Sequence, residues 1–218
     1  MAVINDPSVA ANITRVGEVA TGTTGAAHVV IKPLPSSIGH YRTNHRCVLA
    51  AAQAANTRIF ELRNAHATNL IIVTRLILKA IQSAAGTAQE NSLDVFKCTA
   101  FSVVDTTNTV TPTTSLKKNT MTATSAAIRG VTVAGAAAGM TGGTLTKDGN
   151  SIGQLPIVVV AAAAQNILRE DIFDDVNGTS PFIFIQNEGI EVENRVLNVT
   201  SYGVSAYIDC SFAELVAY

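Results

Sequence analysis

The stretch VSAYIDCSFAEL, residues 204–215, alternates by parity. Val204, Ala206, Ile208, Cys210 and Phe212 share one side, and Ser205, Tyr207, Asp209 and Ser211 share the other. Successive side chains of a strand point to opposite faces, so this pattern predicts a ribbon with one apolar and one polar side. Upstream, IEVENRVLNV (190–199) places Ile190, Val192 and Val196 one way and Glu191, Glu193 and Arg195 the other. SLDVFKCTAFSVVD (92–105) alternates as well, with Leu93, Val95 and Lys97 on one parity and Phe96, Cys98 and Ala100 on the other. RIFELRN (58–64) and PFIFIQNEG (181–189) read as shorter strands. NLIIVTRLILKAIQ (69–82) allows a helix by the spacing of Ile77 and Ile81, but β-branched residues dominate it and favour a strand.

Turn chemistry separates these runs. Asn187-Glu188-Gly189 and the segment from Thr200 to Gly203 suit reversals of the chain. Strands joined by turns, without intervening helices, predict an all-β antiparallel sandwich of jelly-roll type over residues 41–218. The first forty residues predict an extended N-terminal arm. Asp6-Pro7 suits the start of a short helix to about Arg15, and GEVATGTTGAAH is Gly- and Thr-rich. Such an arm has few apolar anchors and would be ordered by lying on something else. GVTVAGAAAGMTGGTLTKDG (130–149) holds neither a GxGxxG turn nor a Gly-Lys-Ser/Thr phosphate loop, and predicts a loop or close-packed backbone.

Only 14% of the 218 residues are charged, 47% are hydrophobic and the formal net charge is -1. Mean hydropathy is +0.29. The longest apolar run, PIVVVAAAA, is far short of the roughly 20 residues a membrane helix needs. Obligate interfaces are apolar and depleted in Lys, Glu and Asp at their cores, so this composition predicts a protein covered by neighbours. No basic footprint for nucleic acid is visible. No basic, apolar leader opens the chain, which predicts synthesis in the cytoplasm.

Residues with chemical potential are few. HYRTNHRC (40–47) gathers two histidines and a cysteine, but His40 and His45 differ by an odd number and face opposite sides of a strand. His45 and Cys47 share a face, too few for a zinc site, and His66 is distant in sequence. Arg42, Asn44 and Arg46 form a polar face suited to carboxylates of a neighbour. Cys47, Cys98 and Cys210 fit no disulfide or CxxC framework and are read as small buried hydrophobes. The acidic loop 171–177 precedes Gly178 but puts Phe173 at the first position of a calcium loop, where an acid is required, so it is read as a turn. Glu188, Glu191 and Glu193 offer carboxylate spacing of about 7 Å, yet a charged outer strand face accounts for them. Asn12, Asn177 and Asn198 open glycosylation sequons that a Thr-rich chain yields by chance. Catalytic, metal and cofactor residues are therefore expected to be none.

The opening MAVINDPSVAANITRVGEVATGTTGAAHVVIKPLP, the stretch GVTVAGAAAGMTGGTLTKDG and the ending NEGIEVENRVLNVTSYGVSAYIDCSFAELVAY together resemble a tailed-bacteriophage virion structural protein. The resemblance implies a capsid decoration, or cement, protein: β-rich, homotrimeric, and bound to the major capsid protein at symmetry axes of the outer shell. Its location would be the virion, with no enzymatic activity and neither nucleic acid nor membrane as partner. Subunit contacts are expected from Ile4, Pro7, Ile13 and Arg15 in the arm and from Arg42 and Arg46 on the polar strand face. The alternative is a tail or head-fibre component that binds a receptor or glycan. The major capsid protein itself is disfavoured, since no long helix is evident.

Overall fold

The computed structural model describes residues 39–82, 84–116, 123–132, 139–161, 166–174, 181–199 and 201–216. Residues 1–38, which hold nearly all of the expected arm, and 175–177 of the acidic loop lie outside them, while 171–174, expected as part of a turn, are strand. The strands in chain order are β1 (Gly39–Leu49), β2 (Thr57–Arg63), β3 (Asn69–Gln82), β4 (Gln89–Val103), β5 (Thr109–Val110), β6 (Thr114–Leu116) and β7 (Ala127–Val131). They continue with β8 (Thr144–Lys147), β9 (Gly153–Val159), β10 (Asn166–Asp174), β11 (Phe182–Phe184), β12 (Gly189–Asn194) and β13 (Val204–Val216). No helix occurs among the described residues.

Two antiparallel sheets pack against each other as a β-sandwich. The first runs β10-β3-β13-β1-β6, with β11 beside the start of β3. The second runs β5-β7-β2-β12-β4-β8, with β9 beside the first half of β4. Strands β1 to β4 alternate between the two sheets, so each of their connections crosses the sandwich. The run 69–82 is a strand, as its β-branched content predicts.

Parity decides what is buried. In β13 Val204, Ala206, Ile208, Cys210 and Phe212 all enter the core. Beside them, β3 supplies Ile71, Val73, Leu76, Leu78 and Ala80. The parity of that set changes between Val73 and Leu76, and a bulge there keeps the apolar side chains inward on both halves of the strand. From the second sheet come Phe60 and Leu62 of β2, Leu93 and Val95 of β4, and Ile190 and Val192 of β12. Tyr41 stacks on Phe212 with ring centroids 5.2 Å apart. Each fully buried side chain of this kind contributes about 1.5–3 kcal/mol relative to exposure.

The expected charged outer face of β12 is corrected. The strand ends at Asn194, so Arg195 and Val196 do not extend its alternation. Glu191 and Glu193 do point away from the core, but they are 1% and 3% exposed. The chain around residues 139–147 and Asp105 returns over them: Arg58 donates to the Gly142 carbonyl at 2.5 Å, the Gly142 amide donates to Asp105 at 2.6 Å, and Lys147 donates to both oxygens of Glu193 at 2.9 and 2.8 Å. The stretch read as a loop thus carries β8 and covers a second, polar layer.

Candidate functional site

In β1 the burial alternates along YRTNHRC: Tyr41, Thr43, His45 and Cys47 are buried, and Arg42, Asn44 and Arg46 lie on the outer side. The two sides have different tasks. His45 reaches between the sheets, its Nε2 3.2 Å from the Val131 carbonyl of β7 and its ring beside Phe60. Burial lowers its affinity for a proton, so it is held as the neutral imidazole that donates to that carbonyl. Burial pushes the Cys47 thiol up to about 12 and raises Cys98 and Cys210 further, which keeps all three protonated and unreactive at neutral pH. His66 is a loop anchor whose Nδ1 accepts from the amides of Thr68 and Asn69.

The outer side of β1 belongs to a wider basic face. Register aligns Arg46 of β1, Tyr207 of β13, Lys79 of β3 and Arg169 of β10 in one row across the first sheet. The next row holds Asn44, Asp209, Ile77 and Asp171. The two aspartates neutralise two of the cations. Arg42 grips Asp209 through two bonds, one of them Nε to Oδ1 at 2.8 Å. Arg169 grips Asp171 through two bonds of 2.9 Å.

Among the described residues, Arg46 and Lys79 have no carboxylate partner. The Arg46 guanidinium lies 5.7 Å from the Tyr207 ring centroid and donates to Ser205 Oγ at 3.3 Å. Lys79 flanks Tyr207 on its other side in the register. Arg42, Asn44, Arg46, Lys79, Tyr207 and Asp209 line a half-open groove of about 290 Å³. Three cations against one aspartate leave this groove with a net charge of +2 from those lining residues. Such a charge suits an anion, and Tyr207 on its floor is half-buried.

The structure therefore brings Arg42 and Arg46 to one groove, on the outer side of β1. Ile4, Pro7, Ile13 and Arg15 lie outside the described residues. Sequence reasoning missed Lys79, Tyr207 and Asp209 as members of this face. The parity of Tyr207 and Asp209 in β13 was readable; their alignment with Arg46 and Lys79 depends on strand order, which parity does not supply.

A second polar cluster lies on the outer side of the second sheet. Glu61, Asp94, Asp105, Glu191 and Glu193 are all buried there, with Arg58 and Lys147 among their cations. Arg58 bonds Glu61 at 2.5 Å and stands 3.9 Å from Glu191. Neither oxygen of Glu191 meets a hydrogen-bond partner among the described residues. Burial, then the neighbouring Glu193, hold the Glu191 carboxyl well above the usual carboxylate range. Among the described residues no group of three or more His, Cys, Asp or Glu side chains is arranged to hold a metal ion.

No protein-family model, curated protein or solved structure matches this chain.

Proposed function

We propose that this protein is a virion structural subunit of the capsid-decoration type, which adds to the outer shell through the exposed face of its first sheet. The carrying observation is the row Arg46–Tyr207–Lys79, two cations without carboxylate partners among the described residues, set about an aromatic side chain over a groove. In a chain of which 14% is charged, such a concentration of uncompensated charge suits a partner with acidic groups. Arg42, held by Asp209, borders the same groove, and the N-terminal segment would add a second, extended contact. Copies around a symmetry axis multiply modest single contacts into firm attachment. The resemblance of the opening, middle and closing stretches to phage virion proteins supports the same reading.

Sedimentation with shells lacking the protein tests it. The full chain is expected to co-sediment, the double variant R42Q/R46Q to bind at least tenfold more weakly, and a chain lacking residues 1–27 to lose part of its affinity. Undiminished binding of both variants would overturn the contact assignment. Failure of the full chain to bind any shell, with binding to host-surface glycans instead, would favour a tail or head-fibre component.

A further inference from the structure

Two features of the groove narrow what can occupy it. Arg46 and Lys79 stand on β1 and β3, the two neighbours of β13, so their backbones are two strand spacings apart, about 10 Å. Both side chains are long enough to lean over Tyr207 from either side. Carboxylates at positions i and i+2 of an extended segment lie on one face about 7 Å apart. The guanidinium of Arg46 meets a carboxylate through two parallel bonds, whereas the Lys79 ammonium acts as a compact point charge.

We propose that this groove is a dicarboxylate subsite, taking an extended acidic segment of a partner protein whose i and i+2 carboxylates pair with Arg46 and Lys79 across Tyr207. It rests on the partner-facing reading of the first sheet and names the chemistry of the partner. Charge complementarity carries it: the groove holds +2, and its own aspartate is already engaged by Arg42. A nucleic-acid backbone fits less well. Its affinity grows with the number of phosphates neutralised, and here Arg46 and Lys79 stand with Asp209 and Asp171 in the neighbouring row, whose carboxylates oppose a polyanion. The segment crosses the strands of the sheet, because Arg46 and Lys79 are separated perpendicular to them. Asn44, exposed at the rim, is placed to bond its backbone.

The test uses the full chain at low salt, titrated with hexaglutamate, hexaglutamine and a sulfated hexasaccharide, and followed by nuclear magnetic resonance. Hexaglutamate is expected to shift the resonances of Asn44, Arg46, Lys79 and Tyr207, and hexaglutamine to leave them unmoved. R46Q/K79Q should weaken hexaglutamate binding at least tenfold. D209N, which removes the opposing charge and releases Arg42, should strengthen it several-fold, an effect that damage to the fold would not produce. The proposal is overturned by equal affinity in R46Q/K79Q, by weaker binding in D209N, or by response to the sulfated saccharide alone. Shell binding that R42Q/R46Q weakens, without hexaglutamate binding, would leave the functional reading standing and remove only this subsite.

Discussion

At position 130 the backbone of β7 passes so close to His45 that a Cβ would sit 2.3 Å from Nε2 and 2.4 Å from Cε1. The imidazole is fixed by its bond to Val131, so Gly130→Ala is expected to cost about 1–3 kcal/mol in urea denaturation through overpacking. Asn91 is the other residue on which much depends. Its amide donates to Asn194 and Asn198, each at 2.8 Å, and to Tyr202 at 3.2 Å, while its carbonyl oxygen accepts from the amides of Ser92 and Val196. Asn91→Ala would orphan several buried groups at once and should cost about 3 kcal/mol or more, read from the same denaturation curves. Asn198 is 2% exposed and donates to the Ala50 carbonyl, so its sequon is occupied by structure. None of this network was legible in the sequence, because its side chains meet only once distant strands and loops are packed together. The parity of HYRTNHRC was legible, since it needs only the strand's own period.

At the scale of an element, β12 shows how far alternation reaches. Period two separated Ile190 and Val192 from Glu191 and Glu193, but it could not say what covers the second face. The cover comes from around residues 139–147, which composition presented only as Gly- and Ala-rich. Burial there has a pH signature. Glu191 is raised in the folded state, so its contribution to stability is present below about 4.5 and lost as pH climbs through about 8. Glu191→Gln should therefore gain thermal stability over the parent steadily between about pH 5 and pH 8, as melting scans would read; a constant offset would exclude this account. His45 works in the opposite sense. Its folded affinity for protons is lowered, so its contribution is present above about 6.5 and lost as pH falls below it toward the lowered folded value.

Across the whole molecule, the two outer faces differ in kind. The second sheet's acids are buried beneath the chain's own return, with Glu61 paired to Arg58 and Glu193 to Lys147. The first sheet's cations stay open, and two of them lack an acid among the described residues. Period two and turn chemistry were enough to indicate an all-β sandwich, and period two each arginine's side of β1. They could not indicate the groove, which exists only because β13 lies between β1 and β3. On the proposed function, this open face is the one that would meet a capsid shell. Electron cryomicroscopy of particles carrying the protein tests that most directly. The sandwich is expected to sit with β1, β13 and β3 toward the shell and Arg46 and Lys79 against acidic side chains of the capsid protein; that face turned to solvent, or no copy on the shell, would overturn the proposed function.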